Sequence, residues 1–316
     1  MVDDASGDDS LTVCRRYASQ DSRVKVVAKP QNEGVESARF AGFAAAAGEY
    51  VMYVDSDDWL DHPQVLSRMH AAAVETGADY TEVRIQRVLD RRKLFVTRYD
   101  YPVTGLIEQP ELFDRYFLSF FGINLLYVNI FGKLYRKEVL ESACIKPSGL
   151  SMGEDLAYNM QLFPHLKRIY ILDEAGYNYR VGGLTSHYNP HLLPDMKRLY
   201  AMRMQMIALH GYDKASEWLR IELKNVLRSE ICQRITYGAG GGEQPVAEWL
   251  AQEIADPVYR DVLSIDGSSA FWNNAFVQAM ASGDCAGMYE LCRRRVRRER
   301  PRRMIRNLGF RLLNMF

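Results

Sequence analysis

The chain has few cysteines, no long apolar run and no net charge. Its five cysteines are scattered, odd in number and without the pairing of a metal site, which argues against a disulfide scaffold and predicts a cytoplasmic protein. Neither a signal-peptide pattern nor a stretch of about 18 apolar residues occurs, so no membrane span is predicted. Acidic and basic residues number 40 each, and this balance argues against nucleic acid as a partner.

Length and apolar content predict a globular protein in two parts. The 316 residues exceed the usual size of one domain, and 47% of them are hydrophobic. Strand-like and helical runs alternate in the first part, whereas apolar residues follow long helical periods at 192–209 and 215–235 in the second. We therefore predict an α/β domain over 1–189 and an all-α domain over 190–316.

An apolar run ends in a dense group of carboxylates. The strand-like run 50–54 leads directly into Asp55, Asp57 and Asp58. Ligands collect at the carboxyl ends of strands in α/β sheets, and aspartate oxygens suit Mg²⁺ or Mn²⁺ that also binds substrate phosphates. The alternative is a solvated turn in which Asp58 or Asp61 caps the next helix.

Four short motifs follow one another along residues 2–187. They are Asp-Asp-x-Ser at 3–6, Asn-x-Gly-x-x-x-Ala-Arg-x-x-Gly at 32–42, a Gly-Glu-Tyr strand leading into Asp-Ser-Asp-Asp at 48–58, and Gly-Glu-Asp at 153–155. In this order they resemble the inverting family-two glycosyltransferases of bacterial envelope polysaccharide synthesis. The resemblance implies an α/β fold of the GT-A type, and the alternating strands and helices predict a parallel sheet.

The resemblance also implies a role for each matching residue. Asp3 or Asp4 is expected to bind the nucleotide base, Asp55 the ribose, and Asp57 the Mg²⁺ or Mn²⁺ ion. Arg39 is expected to lie beside the nucleotide, and the alternative for it is a surface ion pair with Glu33 or Glu36. The expected nucleotide-sugar site consists of Asp3, Asp4, Arg39, Asp55, Ser56, Glu154 and Arg180.

Asp155 is the expected general base. In the family's reaction a carboxylate takes the proton of the acceptor hydroxyl, and direct displacement inverts the anomeric centre. The alternative is that Glu154 and Asp155 only complement a helix N-terminus. We expect this N-terminus and a nearby metal ion to lower the pKa of Asp155.

Two further segments resemble parts of the family's active site. A strand is expected at 169–172, followed by a loop over the diphosphate at 177–187 with Gly182-Gly183 as its hinge. The polar groups of this loop are Arg180, Thr185, Ser186 and His187. Alternatively, Arg180 only forms an ion pair that links the strand end to an acidic residue. Phe131-Gly132 stand where the family usually has Trp-Asn, before Lys133. The aromatic residues nearby are interpreted as core or as a sugar-binding groove: Phe117, Phe120, Phe121, Tyr127 and Phe131.

The family normally begins with a further strand and helix ahead of its first Asp-Asp. We therefore expect an N-terminally truncated GT-A sheet with exposed ladder edges. The alternatives to an active enzyme of this kind are a non-catalytic nucleotide-binding relative or fragment, and a nucleotidyltransferase, which would usually bring a Gly-rich, Lys-bearing phosphate loop.

The last residues, Arg293–Phe316, combine clustered arginines with an apolar tip. Such a basic amphipathic tail is typical of contact with anionic lipid, and a solvated tail is the alternative. The expected protein is a cytoplasmic transferase, peripheral on the inner face of the plasma membrane. It would transfer a sugar from a nucleotide-diphospho-sugar to a cell-envelope glycan or polyprenyl-linked acceptor. By family frequency, the expected donor is a UDP-sugar.

Overall fold

The structure is a computed structural model that describes residues 1–89, 97–98, 103–123, 125–181, 188–239 and 241–313, with side chains up to residue 299 apart from those of 97–98. The chain divides into two compact units, Met1–Val181 and Gly182–Phe316, where we predicted a change after residue 189. Within the described ranges, no helix is long and apolar enough to cross a membrane.

The first unit is a mixed α/β structure. In chain order its elements are β1 (Val2–Asp3), α1 (Ser10–Gln20), β2 (Val27–Ala28), α2 (Val35–Ala45), β3 (Tyr50–Met52), β4 (Trp59–Leu60), α3 (Val65–Thr76), β5 (Tyr80–Val88), β6 (Thr97–Arg98), β7 (Gly105–Glu108), β8 (Lys133–Arg136), α4 (Lys137–Ala143), α5 (Glu154–Leu162) and β9 (Arg168–Arg180). Short π- and 3-10-helical turns at Leu112–Tyr116, Phe117–Phe121 and Phe163–His165 complete it.

The main sheet has seven strands and mixed direction. Its path is β3-β8-β5-β9-β4, with β6 beside β5 and β7 beside β9. Among its described ladders, only the one between β5 and β9 is parallel. β8 lies between β3 and β5 and pairs antiparallel with both. The prediction of a parallel sheet was therefore wrong for most ladders: the strand–helix alternation of the first 60 residues does not reveal a later strand inserted between β3 and β5. In the described part of the chain, β1 and β2 pair with each other outside this sheet.

The core of the first unit packs α3 against the middle of the sheet. Val65 and Met69 of α3 are fully buried against Val83 of β5 and Tyr177 of β9. Gly176 of β9 lies so close to β5 that a Cβ atom would stand 2.7 Å from the Val83 side chain. Only glycine therefore lets β9 pack against β5 at this point, which brings Tyr177 into position.

The second unit is helical in its described part, as predicted. Its elements are α6 (Leu192–His210), α7 (Ala215–Tyr237), α8 (Glu243–Glu253), α9 (Pro257–Val262), a 3-10 turn (Ala270–Asn273), α10 (Ala275–Ser282) and α11 (Cys285–Leu313). Glycines in the left-handed conformation end α6, α7 and α10. The basic segment from Arg293 belongs to α11, and its last residues, 314–316, lie outside the described residues.

Candidate active site

One arginine joins three separate segments of the first unit. Arg39 of α2 donates from Nη1 to Glu154 Oε1 at 3.1 Å and to Asp155 Oδ1 at 2.5 Å, and from Nη2 to Asp55 Oδ1 at 3.0 Å. Its side chain is 12% exposed. The guanidinium thus holds the end of the β3 segment against the first turn of α5. We call Arg39, Asp55, Glu154 and Asp155 the Arg39 cluster.

The expected alternative partners of Arg39 bond elsewhere. Glu33 pairs with Lys29 at 2.7 Å. Glu36 accepts hydrogen bonds from the amides of Ser148 and Gly149, both at 2.8 Å. The interpretation of Arg39 as a surface ion pair on its own helix was therefore wrong. Arg39 turns toward α5. Burial lowers its pKa there, but the charges of Asp155 and Asp55 outweigh burial, so the pKa of Arg39 lies above its ordinary value.

Two carboxyls of the Arg39 cluster, those of Glu154 and Asp155, have raised pKa values. Burial raises the pKa of Asp155, and this outweighs the lowering by Arg39 and by the Ile130 amide, which donates to Asp155 Oδ2 at 3.3 Å. Burial and the neighbouring Asp155 raise the pKa of Glu154 to about 7. Both residues do stand in the first turn of α5. The prediction of a lowered pKa for Asp155 was nevertheless wrong, because the loss of solvent exceeds the favourable local charges.

The acidic turn after β3 bonds to β9 and not to the following helix. Asp58 Oδ2 accepts from the Tyr177 hydroxyl and Oδ1 from the Arg180 amide, both at 2.8 Å. The Asp55 amide donates to the same hydroxyl at 3.1 Å. Burial raises the pKa of Asp58 to about 6, although these two hydrogen bonds lower it.

Neither candidate cap residue caps α3. Asp61 accepts from Asn178 Nδ2 at 2.9 Å, and Gln64 occupies the N-cap position of α3 without a side-chain cap bond. The helix-capping alternative for Asp58 and Asp61 was therefore wrong. The acids of this turn serve instead to attach it to β9.

Asp57 is the more open carboxylate of the turn. Its side chain is 34% exposed and stands 3.9 Å from the Arg180 guanidinium, while Ser56 is exposed. No group of three or more His, Cys, Asp or Glu side chains in the described ranges is arranged to hold a metal ion. Asp57 alone fits a Mg²⁺ or Mn²⁺ ion that takes its other ligands from phosphates and water, as these hard ions commonly do.

Asp3 of β1 and Asp4, which follows β1, have different surroundings. Asp4 accepts from Lys29 Nζ at 2.6 Å and from the Gly34 amide at 2.7 Å. Asp3 is 5% exposed, and its Oδ2 accepts from the Ser6 amide at 3.3 Å. Asp3 Oδ1 is buried without a hydrogen-bond partner in the described part of the chain. Asp3 therefore has an acceptor oxygen available for a ligand. Asp4 instead stabilises the turn before α2 through its hydrogen bonds.

The first residues of the expected loop over the diphosphate belong to a strand. β9 continues to Arg180, so Tyr177 to Arg180 form its last residues and not a loop. The long pairing of β9 with β5 explains the difference, since strand length depends on the partner strand. Gly182, Gly183, Thr185, Ser186 and His187 lie outside the described residues.

The segment before the expected acceptor site is mainly structural. Lys133 is buried, 3.1 Å from Glu82, and donates to the Asn129 carbonyl at 2.6 Å. Phe131 is half-buried and stacks on Tyr177 at 4.9 Å between ring centroids. Tyr127 is also half-buried. The remaining aromatic residues are core: Phe117, Phe120 and Phe121.

Sequence reasoning missed three groups that shape the site. The Tyr177 hydroxyl connects the acidic turn to β9, and the Ile130 amide holds Asp155. Asn159, one helical turn after Asp155, donates to the carbonyls of Val128 and Asn129. Its position four residues after an expected base was the available signal; nothing local marks a backbone amide such as that of Ile130.

Comparison with known proteins finds relatives of this chain. Residues 1–143 match the sequence model of glycosyl transferase family 2. EpsH of Bacillus subtilis, named as a glycosyltransferase, is 24% identical over 292 residues, covering 86% of this chain and 78% of EpsH. The succinoglycan biosynthesis protein ExoO of Rhizobium meliloti is 28% identical over 278 residues, covering 81% and 72%.

The fold is also that of a solved glycosyltransferase. The structure of residues 1–349 of S. aureus TarS in complex with UDP-GlcNAc is similar with a TM-score of 0.59 at 18% identity, covering 93% of this chain and 81% of that one. Residues 1–143 therefore carry a glycosyl transferase family 2 domain, and the protein is a glycosyltransferase with a GT-A fold.

Proposed function

We propose that the protein transfers a sugar, with inversion, from a nucleotide-diphospho-sugar to a cell-envelope glycan or lipid-linked acceptor. The Arg39 cluster carries this proposal, because it brings the expected ribose ligand Asp55 and the expected base Asp155 onto one guanidinium. A UDP-sugar is the proposed donor, since the similar TarS structure holds UDP-GlcNAc. The name of ExoO supports an envelope polysaccharide as the product.

The proposed donor site follows from the contacts of its residues. Asp3 Oδ1 accepts an N–H of the base, because it is the buried oxygen with no other partner in the described ranges. Asp55 holds the ribose, and Arg180 lies beside Asp57 where a diphosphate would add negative charge. Mg²⁺ or Mn²⁺ at Asp57 would stabilise the leaving diphosphate as a Lewis acid. Arg39, Ser56 and Glu154 complete the site.

Asp155 is proposed to remove the proton from the acceptor hydroxyl. Its raised pKa makes it a stronger base than a solvated aspartate. Arg39 and the Ile130 amide each hold one of its oxygens, which fixes the direction of the remaining lone pairs. Attack by the deprotonated hydroxyl on the face opposite the diphosphate inverts the anomeric centre.

Two substitutions separate donor binding from transfer. We expect Asp57→Asn to abolish metal-dependent binding of UDP, measured by calorimetric titration with Mn²⁺ and with a chelator. Asp155→Asn is expected to keep that binding and to lower sugar transfer by about 10²–10⁴-fold. The exposed Asp114 provides a control, because Asp114→Asn removes one carboxylate away from the site. Equal loss of UDP binding in the Asp57 and Asp155 variants would contradict these roles.

The acceptor and the location belong to the same proposal. A polyprenyl-linked acceptor lies at a membrane surface, and the arginines of α11 from Arg293 onward supply positive charge for anionic lipid. We propose a cytoplasmic protein that is peripheral on the inner face of the plasma membrane. Sedimentation of the full chain with anionic vesicles, but not with neutral ones, is the expected result.

A further inference from the structure

A cavity of about 500 Å³ in the helical unit is lined by four arginines and one carboxylate. Arg228 comes from α7, and Arg294, Arg295, Arg298 and Glu299 come from α11. These residues belong to two helices that are far apart in sequence but pack together. We call this the arginine cavity.

The positive charge of the arginine cavity is only partly neutralised. Arg294 donates to Glu290 at 3.0 Å and Arg295 to Glu299 at 2.9 Å. Among the side chains that the structure describes, Arg228 and Arg298 form no ion pair, and Arg228 donates only to the amide oxygen of Asn225, at 3.1 Å. Two guanidinium groups therefore have donors to offer to an anion that enters the cavity.

The remaining walls favour an anion with an apolar attachment. The eight-residue helix α10 begins at the cavity, and the positive end of its dipole adds to the arginine charge. Phe276 and Leu291 supply apolar surface on the same cavity. A bare phosphate would fill only part of the volume, which leaves space for a group bonded to it.

We propose that the arginine cavity binds a phosphate or diphosphate group that carries an apolar chain. Guanidinium groups match phosphate oxygens with paired, charge-assisted hydrogen bonds, and Arg228 and Arg298 are the residues we assign to this contact. Glu299 accepts from Arg295 and holds it in place at the rim. The site uses no residue of the donor site, so it does not depend on the proposed transfer reaction. Its α11 arginines belong to the segment proposed above to contact anionic lipid, so the vesicle experiment rests on that part of the proposed function, whereas the pyrophosphate titration does not.

The experiment uses the full chain in the presence of a chelator. Pyrophosphate is titrated calorimetrically, and sedimentation is measured with vesicles of phosphatidylcholine alone or with phosphatidic acid. We expect Arg228→Gln and Arg298→Gln each to weaken pyrophosphate binding by about tenfold, the effect of losing one hydrogen bond between charged groups. The matched control is Arg297→Gln, because Arg297 is exposed on the same helix and does not line the cavity. Circular dichroism and thermal unfolding establish that each variant is folded.

The outcomes separate the two sources of phosphate and decide the proposal. If pyrophosphate displaces the protein from phosphatidic acid vesicles, and the Arg298 variant binds them less than the Arg297 variant, the ligand is a lipid phosphate. If pyrophosphate binds but vesicles do not, the ligand is a soluble diphosphate. The proposal is overturned if the folded chain binds neither, or if all three arginine variants lose binding equally, since general charge then explains it.

Discussion

Two ion clusters of the first unit differ in charge balance and in exposure. Lys133 and Glu82 form one cation–anion pair, with side chains 2% and 0% exposed. Arg39 instead faces three carboxylates, and the four side chains are 12–26% exposed. A balanced and sealed pair can only hold the structure together. A cluster with excess carboxylates that is only partly buried can keep acids with altered pKa values within reach of a substrate.

The two clusters are connected through the segment between them. Lys133 donates to the carbonyls of Tyr127 and Asn129, and the amide of Ile130 in the same segment holds Asp155. Burial lowers the pKa of Lys133, and Glu82 and Asp155 raise it in part. The Lys133–Glu82 pair therefore positions the Arg39 cluster through the backbone and through charge, although neither residue is an expected site residue.

The largest expected effect comes from breaking the sealed pair. Lys133→Met leaves Glu82 buried without its cation, which costs about 3–5 kcal/mol of unfolding free energy. Urea denaturation at pH 7 measures this change. Arg115→Met is the matched control: it removes an exposed cation that pairs with Glu111 at 3.4 Å, and it should cost no more than about 0.5 kcal/mol. A loss below about 1 kcal/mol for Lys133→Met would refute the structural role of the pair.

Removing Arg39, the cation of the Arg39 cluster, should give a smaller loss of stability that depends on pH. In Arg39→Gln we expect the pKa values of Glu154 and Asp155 to rise further, because their cation is gone. The native state then binds more protons than the unfolded chain between about pH 4 and 8. The stability of this variant therefore falls as the pH rises through that range. We expect a deficit of about 2 kcal/mol at pH 8 and less at pH 5. Urea denaturation at both pH values tests this, with the exposed Arg16→Gln as control; a deficit independent of pH would contradict it.

The smallest effect should be a gain in stability. The pKa of Glu154 is about 7 in the folded chain, above its ordinary value, so its ionisation costs stability progressively as pH rises from about 4.5 to 7. Glu154→Gln removes this cost and keeps an oxygen for Arg39. We expect a gain on the order of 1 kcal/mol at pH 8 and none at pH 4. The exposed Glu111→Gln should show no such gain, and a destabilised Glu154 variant at pH 8 would show that the raised pKa is wrong.

Local sequence determined several helices and most candidate residues of this protein. Helices α6 and α7 were predicted within two residues of their observed ends, and α5 begins at the predicted acids. Such features depend on neighbours along the chain: apolar periodicity and helix-starting residues. For the same reason, short motifs identified the acidic turn after β3 and the first turn of α5 as candidate site segments.

Only the tertiary structure decided the partners and the acidities. Arg39 meets Glu154 and Asp155 across 115 and 116 residues, and β8 enters the sheet between two earlier strands. No local pattern encodes these contacts, because they arise when distant segments bury shared surface. The same burial raises the pKa of Asp155 where its helix position alone predicted the opposite, since removing solvent from a carboxylate outweighs the favourable local charges.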